Sequence, residues 1–137
     1  MANDVNAKGD YVDRAEGLMI ELHKFISTSK IRDLLSQVNE LYNDITLESG
    51  EILDEKYVER IRHLKVKMIY DAGRDLQQLN RFERKDPRFK EGKLTYFYKK
   101  TGLLKMVGEI GNSRERFLDY CKYFEALVAY HKFYGGQ

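Results

Sequence analysis

The stretch "IRDLLSQVNELYNDI", residues 31–45, indicates the class of fold to expect for this chain. Its apolar side chains recur at steps of three and four residues and therefore share one face of a helix: Ile31, Leu34, Leu35, Val38, Leu41, Tyr42 and Ile45. The preceding Ser27 and Thr28 supply hydroxyl groups that can cap such a helix. The pattern predicts an amphipathic helix that buries one face against other helices.

Four further segments repeat this spacing on either side. Their apolar positions are Val12, Ala15, Met19, Leu22 and Ile26; Tyr57, Ile61, Leu64, Met68 and Ala72; Leu103, Leu104, Val107 and Ile110; and Phe117, Cys121, Phe124, Val128 and His131. Asp54 is the expected cap of the helix that carries Tyr57, and Asn112 or Ser113 the expected cap of the last helix. Pro87 should end or bend the chain, and Gly135 and Gly136 should end the last helix. Because no strand pattern with hairpin turns accompanies these helices, we expect an all-α fold, a single bundle of about five helices.

Length and composition are those of one soluble domain. The chain has 137 residues, of which 42% are hydrophobic and 34% charged, and we expect residues 1–137 to form one domain with residues 1–9 flexible. No apolar run approaches about 18 residues, and the first ten residues lack a secretion signal, so we expect a cytoplasmic protein with no membrane partner. The single cysteine, Cys121, can form neither an internal disulfide nor a paired-cysteine zinc site.

Charge is unevenly distributed along the chain. The net charge is only +2, but residues 81–100 contain eight basic and three acidic residues, a net charge of +5 that leaves −3 for the remainder. Such segregation is typical of a protein that meets a polyanion with one surface. The alternative is that residues 81–100 are a solvated basic connector.

The terminal stretch "FEALVAYHKFYGG", residues 124–136, is the first place to look for chemistry, because it holds a carboxylate, a histidine and several aromatic rings. Glu125 and His131 lie about 240° apart around a helix, so they cannot chelate one metal ion. His23 and His63 fall on other predicted helices, each without a second ligand nearby in sequence. We therefore expect no catalytic residue, no metal site and no cofactor, and we interpret His131 as a packing or capping residue.

Three stretches together resemble a known family. They are "TSKIRDLLSQVNELY" (residues 28–42), "LKVKMIYDAGRD" (residues 64–75) and "YCKYFEALVAYHKFYGG" (residues 120–136), and they cover about a third of the chain. They resemble the small subunit of type III-A CRISPR–Cas effector complexes, the Csm complex. The resemblance implies a small all-helical protein without a catalytic site, stacked in several copies and steadying the target RNA paired with the guide RNA. Its implied partners are other Csm subunits, further copies of itself, and the guide RNA–target RNA duplex.

The third predicted helix offers a candidate RNA-binding face. Opposite Ile61 it carries Lys56, Arg60, His63, Lys67 and Arg74. From the first to the last of these the helix rises about 27 Å, enough to follow several phosphates. Tyr70 could stack on a base, whereas Asp71 dilutes the charge. A solvated helix face is the alternative.

The turn before the second helix is another candidate. Lys30 and Arg32 follow three hydroxyl residues at positions 27–29, where a helix N-terminus favours a phosphate. Plain capping explains the hydroxyl groups equally well. Lys65 should meet a neighbouring segment instead of RNA, while Lys122 and Lys132 could meet either RNA or another subunit.

Two other classes of function compete with this interpretation. A stand-alone helical nuclease would need acidic or histidine ligands clustered for a metal ion, which the sequence does not provide at suitable spacing. A helical protein–protein adaptor with no direct RNA contact remains the alternative.

Overall fold

The computed structural model describes residues 10–135, and these form helices joined by short turns, with one isolated β-bridge between Ile52 and Ser113. The α-helices are α1 (Asp10–Leu22), α2 (Thr28–Ile45), α3 (Glu55–Gln77), α4 (Arg81–Lys85), α5 (Lys93–Thr101), α6 (Leu103–Glu109) and α7 (Arg114–Tyr134). Short 3-10 helices follow α1 at His23–Phe25 and α4 at Pro87–Phe89. The all-α prediction is confirmed for this part of the chain, whereas the expected segment 1–9 lies outside the described residues, as does Gly136.

The prediction of about five helices is wrong, because the described residues contain seven α-helices. The helix predicted from Leu103, Leu104, Val107 and Ile110 corresponds to α6, and Gly102, whose φ of 80° is left-handed, separates it from the additional helix α5. The second additional helix, α4, begins with a capping box. The Asn80 side chain accepts the Glu83 N–H at 2.8 Å, and the Glu83 carboxylate accepts the Asn80 N–H at 2.9 Å.

The predicted caps have different outcomes. Ser27 does cap α2, since its hydroxyl oxygen accepts the Lys30 N–H at 3.1 Å. Ser113 caps α7 in the same way through the Arg116 N–H. Asp54 precedes α3 as expected, but its carboxylate accepts no N–H from that helix.

Helix α7 is the centre of the core. It buries residues on two sides: Phe117, Tyr120, Cys121, Tyr123, Phe124, Leu127 and His131. It packs against α1, α2 and α6, while α3 packs against α2, α5 and α6. Of the predicted core positions, Val12 and Tyr42 are exposed because they lie at the edges of their apolar arcs.

His131 is buried, and its Nε2 lies 2.9 Å from the carbonyl oxygen of Ile26. This hydrogen bond joins α7 to the turn between α1 and α2, as predicted for a packing histidine. Among residues 10–135, no helix is both long and apolar enough to cross a membrane.

Candidate nucleic-acid interface

The basic face of α3 lies beside α2. Arg60 pairs with Asp44 at 2.8 Å, and Lys67 pairs with Asp33 at 3.4 Å. From the first pair to the second, the residue number rises along α3 and falls along α2, so the two helices are antiparallel. We call this row of contacts, which includes the pair of Lys56 with Glu48 at 3.6 Å, the α2–α3 seam.

This position corrects the prediction that the basic residues lie opposite the buried face of α3. Taking Ile61 as the centre of that face placed them about 100–160° away. However, the buried residues Leu64 and Asp71 lie about 60° and 80° from Ile61, on the side of the basic residues. The buried arc is therefore shifted toward the basic row, and the row flanks it.

The cations of the seam remain accessible. The side chains of Lys56, Arg60 and Lys67 are 62%, 40% and 34% exposed. Exposed ion pairs contribute about 0–1 kcal/mol, so a phosphate oxygen could replace a carboxylate oxygen at little cost. Asp33 and Asp44 of α2, and Glu48 just after that helix, hold these cations in a row.

Asp71 anchors the two predicted RNA-binding regions to each other. It is buried, with 6% of its surface exposed, and its Oδ2 lies 3.1 Å from the Lys30 ammonium and 3.6 Å from that of Lys67. Lys30, at the start of α2, is thus drawn onto the basic face of α3. The sequence indicated only that Asp71 would dilute the charge, because its i, i+4 relation to Lys67 does not reveal its burial.

A cavity of about 400 Å³ opens where the seam ends. Lys30 and Arg74 both line it, so residues predicted as parts of two candidate sites meet here. Lys24 and Lys93 also line it. Sequence reasoning missed Lys24 and counted Lys93 only within the basic segment 81–100, because both lie on segments separated from α3 by many residues. Arg74 has its guanidinium carbon 5.9 Å from the centre of the exposed Tyr70 ring.

Two of the predicted RNA-binding residues take no part in the ion pairs of the seam as the structure describes it. Arg32 is exposed and lines a separate groove on α2 with Ser36 and Asn43. His63 is exposed on α3, near the seam by its helical position. Within residues 10–135, neither of them forms an ion pair.

Lys65 points toward α6, away from the seam. A Cβ at Gly108 would lie 3.0 Å from its ammonium nitrogen, so Lys65 meets a neighbouring helix as expected.

The side chains outside this interface that could act as nucleophiles, bases or metal ligands are engaged in packing. Burial raises the pKa of the Cys121 thiol to about 12, so the reactive thiolate is scarce near neutral pH. His23 Nδ1 lies 2.9 Å from the Met19 carbonyl oxygen. In the described chain, no three His, Cys, Asp or Glu side chains converge closely enough to hold a metal ion.

Comparison with known proteins gives a consistent result. A family model described as "Csm2 Type III-A" matches residues 6–137. A protein of Enterococcus italicus named "CRISPR system Cms protein Csm2" is 37% identical over 117 residues, which are 84% of this chain and 72% of that protein. Proteins with the same name from Streptococcus thermophilus and Mycobacterium tuberculosis are 33% identical over 134 residues and 30% identical over 128 residues, covering 93% and 90% of both chains compared.

Proposed function

The chain belongs to the Csm2 family, the small subunit of the type III-A CRISPR Csm complex, and on that basis we propose that it binds and positions the guide RNA–target RNA duplex without cleaving it. Membership in this family makes other Csm subunits its partners in CRISPR defence. The observation that carries the RNA-binding role is the row of accessible cations along the α2–α3 seam.

The seam suits a ligand of any sequence. Lysine and arginine contacts to phosphates supply affinity but carry no sequence information. In RNA-guided systems base pairing supplies the specificity, so a protein that holds the paired target needs this kind of contact. The row follows α3 for about 27 Å from Lys56 to Arg74, which matches several successive phosphates.

The proposed contacts fall into two groups. Those of the continuous row are Lys30, Lys56, Arg60, His63, Lys67 and Arg74. Arg32 would form a separate contact, because its groove lies apart from the row.

The proposed absence of catalysis is supported by the engagement of the polar groups in the core. His131 bonds a backbone carbonyl group, and the thiol of Cys121 is held in its protonated form. Hydrolysis of RNA by the purified, nuclease-free chain, abolished by a chelator, would refute this part of the proposal.

We also propose that copies of the chain stack by placing α1 of one copy on α3 of the next. The outer side of α3 exposes Val66 and Ile69, with Tyr70 and Leu76 beside them. Arg62 and Lys65 flank these apolar residues on the same helix. An apolar strip with a basic border fits an amphipathic helix with an acidic border.

Helix α1 is an amphipathic helix with an acidic border of this kind. It exposes Ile20 among Asp10, Asp13 and Glu21. Because α1 and α3 do not contact each other within the chain, one copy can offer each surface to a different neighbour. A contact between two different surfaces does not close on itself, and therefore permits a stack of several copies.

Reconstituted Csm complexes test both parts. Complexes with Lys67→Gln and Arg74→Gln should assemble normally but bind target RNA more weakly with any matched guide. Complexes with Ile69→Glu should retain RNA contact per subunit but incorporate fewer copies, as measured by native mass spectrometry. If the Lys67 and Arg74 substitutions abolish assembly and leave RNA affinity unchanged, the seam contacts protein and the adaptor function is correct.

A further inference from the structure

Helix α4 and the turn after it form a fixed platform beyond the end of α3. The Arg84 guanidinium donates hydrogen bonds to the carbonyl oxygens of Leu79 at 3.1 Å and Gln77 at 3.2 Å. Lys93 of α5 pairs with Glu83 of α4 at 2.6 Å. Leu79, just before α4, is buried, and Phe89, after it, is buried against the rings of Phe25 and Tyr96. The segment is therefore held against the bundle at both ends of α4.

Most of the positive charge of residues 81–100 has no acidic partner within the described chain. The three acidic residues, Glu83, Asp86 and Glu91, pair with Lys93, Arg88 and Lys99 respectively. The cations left without a carboxylate are Arg81, Arg84, Lys85, Lys90 and Lys100. Arg84 is engaged with carbonyl groups and Lys100 lies over the Tyr96 ring, which leaves Arg81, Lys85 and Lys90 for a ligand.

An exposed aromatic ring lies among these free cations. Phe82 is 80% exposed, although it belongs to a capped and anchored helix. Phe82 and Lys85 are three residues apart and therefore lie on the same side of the helical turn. Cations beside a solvent-exposed ring are the combination by which proteins hold single-stranded nucleic acid, through phosphate contacts and base stacking.

The platform continues the path of the proposed RNA contact. The cavity at the end of the seam is lined by Arg74 of α3 and by Lys93, and Lys93 bonds Glu83 of α4. The acidic residues at that cavity are already engaged, since Asp71 pairs with two lysines and Asp75 accepts the Leu94 N–H at 2.8 Å. This continuity favours RNA over an acidic protein as the ligand of the platform.

We infer that α4 is a second RNA contact, on which Phe82 stacks an unpaired base of the bound strand while Arg81, Lys85 and Lys90 hold the adjacent phosphates. The path of the RNA from the seam to α4 rests on the proposed function, because it assumes that RNA leaves the α2–α3 seam at Arg74. The stacking itself depends only on the platform.

The test uses reconstituted Csm complex carrying a guide RNA, with the fluorescent base 2-aminopurine placed at each target position in turn. At one position or more, binding should quench the fluorescence through stacking, and Phe82→Ala should remove that quenching. The same substitution should lower target affinity on the order of tenfold without changing the salt dependence, because no phosphate contact is lost. Phe82→Tyr keeps an aromatic face and should preserve both quenching and affinity.

Substitution of the cations should change the salt dependence of RNA binding and leave the stacking intact. Lys85→Gln with Lys90→Gln should flatten the slope of log affinity against log salt by about 1.4 on a single strand and preserve the quenching. The inference is overturned if no position responds to Phe82→Ala, or if Phe82→Ala impairs assembly while RNA affinity stays unchanged.

Comparison with the seam variant separates this inference from the proposed function. If Lys67→Gln with Arg74→Gln weakens RNA binding and the α4 variants do not, only the inference fails. If the α4 variants weaken binding and the seam variant does not, the RNA path along the seam is wrong and the α4 contact remains.

Discussion

Removing two seam cations should change RNA affinity by an amount that depends on salt in a calculable way. The variant carries Lys67→Gln and Arg74→Gln; the Lys67 side chain is 34% exposed in the seam, and Arg74 lines the cavity at its end. Each lost phosphate contact flattens the slope of log affinity against log salt by about 0.7 on a single strand and about 0.9 on a duplex. Two contacts should therefore flatten it by about 1.4–1.8.

This change of slope predicts how the loss of RNA affinity in the variant varies with salt concentration. Between about 50 and 200 mM salt, a slope difference of about 1.4 reduces the affinity ratio between wild type and variant roughly sevenfold. The variant should thus look most defective at low salt. Fluorescence anisotropy of labelled target RNA, titrated with reconstituted complex at several salt concentrations, measures the effect directly.

The fold should tolerate both substitutions. Asp71 keeps its ion pair with Lys30 at 3.1 Å when Lys67 is replaced by a neutral residue. Lys67→Glu would be a poor choice, because it would place a carboxylate beside the buried Asp71. The matched control replaces one lysine and one arginine elsewhere, Lys105→Gln with Arg116→Gln, and should leave the slope unchanged. Equal slopes for wild type and the seam variant, with normal assembly, would refute phosphate contact at the seam.

Four further outcomes follow from the described structure. Asp71→Ala should lower the free energy of unfolding, measured by urea denaturation, by about 1–3 kcal/mol, because it leaves the cations of Lys30 and Lys67 without their buried partner. Asp44→Ala removes one partner of an exposed pair and should cost less than about 1 kcal/mol. Equal losses would contradict the buried role of Asp71. Gly102→Ala should destabilise by about 1–2 kcal/mol because of the left-handed φ of 80°, while Gly73→Ala, near the C-terminal end of α3 with open space around it, should stabilise by up to about 1 kcal/mol; thermal melts that reverse this order would refute the division at Gly102. His131→Ala should cost about 1–3 kcal/mol by leaving the Ile26 carbonyl group without its partner, and a stably folded variant that lost a measurable turnover would instead make His131 catalytic. The Cys121 thiol should react with a thiol reagent only as fast as the chain unfolds, because its pKa is about 12 and it is buried; rapid labelling at neutral pH without denaturant would contradict that burial.

The sequence was sufficient for properties that depend on one helix at a time. The three- and four-residue spacing identified the apolar residues of the buried face of α3, since Tyr57, Ile61, Leu64, Met68 and Ala72 are all buried, although it did not identify the buried Asp71. The position of His131 on the same helical face as Phe124 and Val128, with no second metal ligand at suitable spacing, was likewise enough to predict a packing residue. Helical periodicity fixes the angle of each side chain about its own axis, and these properties require nothing more.

The surroundings of the basic residues required the tertiary structure. Periodicity does not say which neighbour a helix packs against, and α2 covers α3 on the side that holds Asp71 and borders the basic row. For that reason the carboxylates of α2 could not be foreseen as partners of Arg60 and Lys67. Lys24, Lys30, Arg74 and Lys93 meet at one cavity because three separate helix ends and a turn converge there, a relation set by interhelical packing and absent from the spacing along any one helix.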